Sequence, residues 1–261
     1  MRLPRWLLLT INGCAAFSCA LAADSDPRGL EIATQADRRD AGFGDTTAVL
    51  TMTLYDSTGE TTTRRMRARI LETESGDKRL IIFDEPGDVR GTTVLTHTHV
   101  NGSDDQWIYL PAIKRVKRIA TAGKTGPFMG SEFAYEDLTA QEVARYTYKH
   151  LRDEPCGGGT CFVVERHPVN TESGYRRQII WIDTADFRAW RVEYYDRKGE
   201  LLKVLTFDGY ELYKDRFWRA RTMTMQNIQT GKRTVLEWSG YQFGNGLTLA
   251  AFDPARLADS R

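Results

Sequence analysis

Apolar and polar residues alternate along most of this chain, which is the pattern of half-buried β-strands. Between Thr62 and Glu74, for example, three arginines would point to one face while Met66, Ala68 and Ile70 point to the other. Turn signals such as residues 56–59 and 196–199 separate the alternating runs. The pattern predicts a mainly β protein with eleven or more short strands, arranged as an antiparallel meander that is closed or nearly closed on itself.

Two stretches depart from this alternation and predict helices. Residues 28–42 place apolar side chains at helical spacing and end at glycines, which predicts an amphipathic helix. A second, shorter helix is predicted from Tyr135 to about Arg145, with Thr139 as a cap within it. The sequence contains no internal repeat, linker or low-complexity tract, so we expect residues 23–261 to form one domain.

The first 22 residues have the three parts of a secretory signal peptide, namely a charged start, an apolar middle and a cleavage site at Ala20-Leu21-Ala22. The apolar run is shorter than the roughly 20 residues that a membrane-spanning helix needs. We therefore expect cleavage and a periplasmic mature protein. A membrane-anchored lipoprotein, with Cys14 or Cys19 as the lipidated residue, is less favoured because neither cysteine follows a good lipobox.

Charge is balanced over the chain. The full sequence has 36 basic and 35 acidic residues, and removal of Arg2 and Arg5 with the signal peptide leaves 34 against 35. A general nucleic-acid or membrane-surface binder would carry a one-signed excess, so the balance argues against both roles for the chain as a whole, and we expect no nucleic-acid partner. Any strongly charged segment is then a local feature.

Candidate chemistry is sparse in this sequence. Cys156 and Cys161 are the two cysteines of the mature chain, and an oxidising compartment makes a disulfide between them the expected state. His97 and His99 share one face of a predicted strand, but no carboxylate at a telling spacing accompanies them, so surface or half-buried histidines are favoured over a metal site. The chain has no Gly-x-Ser-x-Gly nucleophile motif. We expect no metal, no cofactor and no enzymatic activity.

One stretch, residues 106–138, fits neither a plain core strand nor a plain loop. It begins with an apolar run, and four cations then occupy five positions, at Lys114, Arg115, Lys117 and Arg118. A glycine-rich loop follows, with large apolar side chains that have no strand or helix period, at Phe128, Met129 and Phe133. Such a loop usually covers a cavity or contacts a partner. The cations could bind lipid phosphate or an acidic partner, or they could guard a sheet edge against pairing.

The segment WIYLPAIKRVKRI, followed by GPFMGSEFAYEDL, closely resembles the signature of a bacterial family of outer-membrane lipoprotein-sorting proteins, relatives of the periplasmic carriers LolA and LolB. The resemblance implies a half-open, strongly curved antiparallel β-barrel, in which a few helices and loops cover a concave apolar face that holds lipid. It also implies a partnership with membrane transporters of the RND/MMPL type, beside which members of this family often work.

The residues and the resemblance together suggest a carrier for a lipid or lipoprotein acyl chain. The expected ligand-binding residues are Trp107, Tyr109, Phe128, Met129, Phe133 and Tyr135. The expected partner- or headgroup-binding residues are Lys114, Arg115, Lys117 and Arg118. Met66, Met223 and Met225 also suit a flexible apolar lining. Glu136 and Asp137 are expected to fix the loop by hydrogen bonds or by pairing with a cation such as Arg118. The alternative is an accessory protein that docks an envelope transporter complex and carries nothing.

Overall fold

The computed structural model describes residues 25–259, with the backbone alone at residues 121 and 122. The expected signal peptide therefore lies outside the described residues. Within the described part, 13 strands form one antiparallel sheet, and no helix has the length and apolar character needed to cross a bilayer.

The strands fall into two meanders along the chain. The first meander contains β1 (Asp45–Tyr55), β2 (Thr61–Leu71), β3 (Lys78–Glu85), β4 (Thr93–His97), β5 (Asp105–Leu110) and β6 (Arg115–Arg118). The second contains β7 (Tyr146–Cys156), β8 (Gly159–Pro168), β9 (Tyr175–Asp183), β10 (Ala189–Asp196), β11 (Leu201–Tyr213), β12 (Phe217–Asn227) and β13 (Arg233–Phe243). The order across the sheet is β6-β5-β4-β3-β2-β1-β13-β12-β11-β10-β9-β8-β7, so the pairing of β1 with β13 joins the two meanders.

The sheet is curved but not closed, because its outer strands, β6 and β7, do not pair with each other. Residues 119–145 connect these two strands and therefore cross the open, concave side of the sheet. Side chains from strands far apart in the sheet order, such as Phe83 of β3 and Tyr194 of β10, belong to one buried cluster on this side. The predicted mainly β, half-open barrel is confirmed.

The predicted N-terminal helix is confirmed as α1 (Pro27–Asp40). Asp26 caps it, since the Asp26 carboxylate accepts hydrogen bonds from backbone N–H groups of the first turn. The same carboxylate accepts the N–H of His150 in the outer strand β7. Ile32 and Ala33 on the inner side of the helix are buried. The helix contacts β7 and lies over the concave face beside it.

The predicted second helix is wrong. The stretch forms two short 3₁₀ turns, Tyr135–Leu138 and Val143–Arg145, and Thr139 between them is extended. The Asp137 carboxylate accepts the N–H of Ala134 and is also held by partners on other strands. These tertiary contacts outweigh the weak local preference for a helix.

Both faces of the sheet carry apolar clusters, because several strands have apolar side chains on both sides. In β3, Phe83 belongs to the concave cluster, whereas Leu80 and Ile82 belong to a separate cluster on the convex side. Phe252 and Leu257 lie in 3₁₀ turns that follow β13, and they pack on this second cluster. The segment after β13 therefore packs on the convex side of β3 to β5 and also contacts β6.

The hairpin between β7 and β8 contains the expected disulfide, Cys156–Cys161. Gly157 in its turn has a φ of 50°. A Cβ atom at this position would come within 2.6 Å of the Trp190 ring. Only glycine therefore fits both the backbone conformation and the space in this turn.

Candidate functional site

A cavity of about 1000 Å³ lies on the concave side, between α1 and the inner face of strands β7 to β13. Pockets of roughly 300–1,000 Å³ hold small-molecule ligands in other proteins, so this cavity is large enough for one. Ala33 and Ala36 form the wall on the helix side. The sheet side is built from inward-pointing side chains of several strands, among them Val164, Ile180, Ile182, Val192, Leu205 and Leu236.

Two of the polar side chains that line the cavity, Tyr148 and Arg166, are already bonded to the protein. The Tyr148 hydroxyl donates to the Val143 carbonyl oxygen at 3.2 Å, and burial raises the pKa of Tyr148, so the hydroxyl stays neutral. The Arg166 guanidinium donates to the side-chain oxygens of Gln178 and Gln141, at 2.6 and 2.8 Å. These two groups are therefore not available to a ligand, whereas the buried Nε1 of Trp238, another lining residue, has no hydrogen-bond partner among the described residues.

The rim of the cavity carries arginines and aromatic rings. Arg188 pairs with Asp183 at 2.7 Å and lies 4.4 Å from the centroid of the Trp218 ring. Arg219 pairs with Asp40 at the end of α1 and so attaches the helix to β12. Because both arginines have carboxylate partners, they add little net charge to the rim.

A group of charged residues lies where the cavity meets the turn between β2 and β3. Burial raises the pKa of Asp77 to about 6, and the carboxylates of Glu72 and Glu142 add to this rise while Arg79 opposes it. Arg79 also donates a hydrogen bond to the Leu138 carbonyl oxygen at 2.7 Å. That bond attaches the crossing segment to β3.

The loop that the sequence singles out fills the concave space beside the cavity. Phe128 and Phe133 are only 2% and 1% exposed. The Phe128 ring packs against Phe83 and Tyr135, with centroid distances of 5.9 and 5.4 Å, and Met129 packs on the same cluster. The structure thus brings four of the predicted ligand-binding residues together, but it places them in the core and not on the wall of the cavity.

Trp107 and Tyr109 lie on the other side of the sheet. Because alternate residues of β5 share a face, both side chains belong to the convex cluster, together with Leu95 and Phe252. The Trp107 ring meets the His97 ring edge-on at a centroid distance of 5.0 Å. The structure does not bring these two aromatic residues together with the loop, and they contribute to the packing of the segment after β13.

Asp137 fixes the loop, but through a partner that the sequence does not predict. Asp137 pairs with Lys203 of β11 at 2.7 Å, and the two side chains are only 2% and 5% exposed. The Tyr175 hydroxyl donates to the other carboxylate oxygen at 2.8 Å. Arg118, the cation that the sequence suggests, pairs instead with Asp105.

Glu136 lies beside a second, smaller cavity of about 360 Å³. Its carboxylate accepts hydrogen bonds from the Ser173 hydroxyl at 2.9 Å and from the Gly174 N–H at 3.0 Å. Burial, together with the neighbouring Asp137 carboxylate, raises the pKa of Glu136. Both carboxylate oxygens are thus occupied by bonds that hold the crossing segment against the loop before β9.

The four cations of the basic stretch line neither cavity. Arg115, Lys117 and Arg118 belong to β6, in which every residue is exposed. Lys114 precedes the strand with a left-handed backbone, at a φ of 51°. This position separates the cations from any ligand held in the larger cavity.

The two histidines considered as metal ligands both have partners within the protein. His97 Nε2 lies 2.8 Å from the Phe252 carbonyl oxygen, and His99 Nε2 lies 3.0 Å from a carboxylate oxygen of Asp105. In residues 25–259, no three His, Cys, Asp or Glu side chains are grouped so that they could hold a metal ion.

The residues that line the larger cavity are mostly ones that the sequence does not single out. Of the methionines suggested as a lining, Met223 lines the cavity, whereas Met66 and Met225 are buried in the surrounding core. Alternation assigns residues such as Ile180 and Leu205 to an inner face. It carries no signal for which inner positions remain uncovered once the crossing segment is in place.

An open antiparallel barrel whose concave face is covered by a helix and a crossing segment defines the LolA-like class of folds. A LolA superfamily protein from Nitrosomonas europaea has this fold, with a TM-score of 0.70 over 86% of this chain and 97% of that chain. The two sequences are 18% identical, so this likeness shows the fold alone.

Two further solved structures are more similar in sequence. A domain from Vibrio parahaemolyticus that is named for outer-membrane lipoprotein sorting is 51% identical over 88% of this chain and 98% of that chain, with a TM-score of 0.87. A DUF1329 family protein from Desulfovibrio piger ATCC 29098 is 30% identical over the same shares, with a TM-score of 0.84. A family model described as an uncharacterized protein matches residues 75–259, and no curated protein matches the chain. The chain belongs to the DUF1329 family, which confirms the resemblance to lipoprotein-sorting proteins.

Proposed function

We propose that this protein is a periplasmic carrier that holds the acyl chain of a lipid or lipoprotein in the cavity between α1 and strands β7 to β13. The composition of that cavity supports the proposal most, because its wall is apolar at positions such as Val192 and Leu205 and the polar groups of Tyr148 and Arg166 are already bonded. An apolar chain would therefore not strip these two groups of their partners. Burial would contribute about 0.8 kcal/mol for each CH₂ group.

The loop residues have an indirect part in this proposal. Phe128, Met129, Phe133 and Tyr135 fill the concave space beside the cavity, and the segment that follows them contributes Leu138 to the cavity wall. We assign them the role of holding that wall in place, without contact to the ligand. Trp107 and Tyr109 have no part in it, because they pack on the convex side.

The carrier is proposed to work with a membrane transporter of the RND/MMPL type. A transporter that loads or empties the cavity would have to contact its rim, because the cargo passes there. The rim offers Arg188, Trp218 and the 46% exposed Leu212. Tryptophan and arginine are among the residues that most often dominate the energetics of protein interfaces.

Filling the cavity tests the carrier directly. Ala36 lines the cavity, whereas its neighbour Gln35 on α1 does not. The variant Ala36→Trp should weaken binding of a fluorescent fatty-acid probe roughly tenfold or more, since excluding only two CH₂ groups costs about 1.6 kcal/mol. Gln35→Trp adds the same side chain outside the cavity and should bind the probe like the wild type. Equal affinities of the two variants in a fluorescence titration would show that the probe does not occupy this cavity.

The second candidate is an accessory protein that docks a transporter complex and carries nothing. The exposed cations of β6, which lie outside both cavities, are the surface that such a complex would contact. The two candidates differ in bound lipid, because the carrier would take up lipid and the accessory protein would not. Neither candidate involves catalysis.

A further inference from the structure

The two outer strands of the sheet differ in what covers them. At the β7 edge, the N–H of Asp26 donates to the Tyr148 carbonyl oxygen at 2.8 Å, and the Ser25 hydroxyl oxygen accepts the N–H of Tyr148 at 3.1 Å. At the β6 edge, the strand pairs with β5 alone among the described residues. The 3₁₀ turn Pro254–Asp259 lies close to β6, but every residue of the strand is exposed, and its outer edge has no hydrogen-bonded neighbour among the described residues.

The open edge carries a local excess of positive charge, in a chain that has 36 basic and 35 acidic residues overall. Within residues 25–259, the only ion pair formed by its four cations joins Arg118 to Asp105. Lys114, Arg115 and Lys117 are exposed and have no carboxylate partner in the described part of the chain. Their charge is therefore available to an external partner.

Two aliphatic side chains are exposed among these cations. Ile113 is 50% exposed and Val116 is 40% exposed. The left-handed backbone of Lys114 turns the chain between β5 and β6, and the residues on both sides of this turn are exposed. At a membrane surface, lysine and arginine are attracted to anionic headgroups, and exposed apolar side chains beside them can enter the interface.

We propose that residues 113–118 dock this protein onto an anionic phospholipid bilayer. Each cation near an anionic surface contributes about fivefold to partitioning, and this attraction is screened within about 8–10 Å at physiological salt. Because side chains alternate along β6, Val116 and Arg118 would meet the headgroup region on the convex side of the edge, Arg115 and Lys117 would meet it on the other side, and Ile113 would enter it at the turn. A protein partner is less favoured, because these residues line neither cavity, and the dominant residues of protein interfaces occupy well-packed pockets.

Docking at this edge would leave the mouth of the cavity free. Leu212 and Arg216 line the cavity, are exposed and lie where β11 turns into β12, so we place the mouth at this end of the sheet. Asp77, which lines the cavity, comes directly before the first residue of β3. The register of β3 to β6 places the turn between β5 and β6 beyond the last residue of β3, at the opposite end of the sheet. The bilayer would therefore hold the protein at a membrane surface while the cavity stays accessible. This inference does not depend on what the cavity holds.

Co-sedimentation of the mature protein with vesicles tests the docking surface. We expect binding at low salt to vesicles of phosphatidylglycerol and phosphatidylcholine, no binding to vesicles of phosphatidylcholine alone, and release at about 0.5 M salt. The triple variant Lys114→Gln, Arg115→Gln and Lys117→Gln should lose roughly 100-fold in partitioning, because three cations are removed. Its thermal unfolding should match that of the wild type, since the three side chains are exposed.

A matched control removes the same charge elsewhere. Lys198→Gln, Arg221→Gln and Lys232→Gln change three exposed cations on other strands and turns, and this variant should bind within about twofold of the wild type. Replacing Ile113 and Val116 with serine should weaken binding while leaving its salt dependence in place. Equal losses in the two charge variants would overturn the docking surface. If the wild type does not bind anionic vesicles at low salt, the membrane is excluded and an acidic protein becomes the partner of this edge.

Discussion

Lys203 and Asp137 are the two residues whose charges the fold buries most completely against each other, at 5% and 2% exposure. A buried ion pair often stabilises a protein no more than apolar residues of the same size would. Removing one partner is different, because the other charge then stays buried without compensation. The main role of the Lys203–Asp137 pair is therefore to hold the crossing segment at its position against β11.

The variant Lys203→Met should lower the free energy of unfolding by about 3–5 kcal/mol, because Asp137 keeps its burial and loses its cation. As a control, Arg65→Ala breaks the exposed pair with Glu85 and should cost less than about 1 kcal/mol. Urea unfolding of both variants measures the difference. A loss as small as that of the control would mean that the Tyr175 hydroxyl and the Ala134 N–H together compensate the Asp137 charge.

Asp77 makes the stability of the folded protein fall as the pH rises, whereas a salt-bridged carboxylate makes it rise. Burial raises its pKa in the folded protein to about 6, against roughly 3.9 for an unfolded chain. Between about pH 4 and pH 6 the folded protein therefore binds more protons at this site than the unfolded chain does. The contribution of Asp77 to stability is full below that window and is lost as the pH rises through it.

Replacing Asp77 with asparagine should remove this dependence. Relative to the wild type, we expect little change in unfolding free energy at pH 4 and a gain of about 3 kcal/mol by pH 7. The gain follows the net pKa shift, which already contains the attraction of Arg79 and the repulsion of Glu72 and Glu142. Urea unfolding from pH 4 to pH 8 measures it. If the difference in unfolding free energy between variant and wild type does not vary with pH, the raised pKa of Asp77 is contradicted.

At the scale of elements, α1 depends on a close approach to β7. A Cβ atom on Gly29 would lie 2.8 Å from the backbone nitrogen of His150 and 2.9 Å from that of Lys149. In an exposed helix, replacing glycine with alanine stabilises by roughly 1 kcal/mol. In this protein, a Cβ atom at position 29 would push the backbone of α1 away from that of β7. Replacing Gly29 with alanine should therefore lower the stability of the protein.

We therefore expect Gly29→Ala to destabilise the protein by about 1–3 kcal/mol and to speed hydrogen exchange of the amides in α1. The exposed position Glu31 on the same helix supplies the control, since Glu31→Ala should leave exchange unchanged. A more stable Gly29→Ala variant would show that the helix can move away from β7 without loss.

Elements with a local signal are the ones that the sequence predicts. The alternation between Thr62 and Glu74 predicts β2, and the helical spacing after Arg28 predicts α1. The second helix fails because Glu136 and Asp137 bond to residues of β9, β11 and the loop before β9. These partners lie far along the chain, so no local pattern contains them.

At the scale of the whole molecule, the crossing segment divides the concave side into two parts. Phe128 and Phe133 fill one part, and the other part remains as the cavity beneath α1. The sequence pattern and the family resemblance predict the concave apolar face. They do not predict which part is filled, because the loop residues and wall residues such as Ile180 and Leu205 are alike in being apolar.

The central claim is that this cavity holds a lipid. Native mass spectrometry of the mature protein purified from a periplasm, followed by extraction and identification of what is bound, tests that claim most directly. We predict one lipid or acylated peptide per protein, with less in Ala36→Trp and an unchanged amount in Gln35→Trp. A protein that is empty, and that stays empty after exposure to envelope lipids, would contradict the carrier and favour the accessory protein.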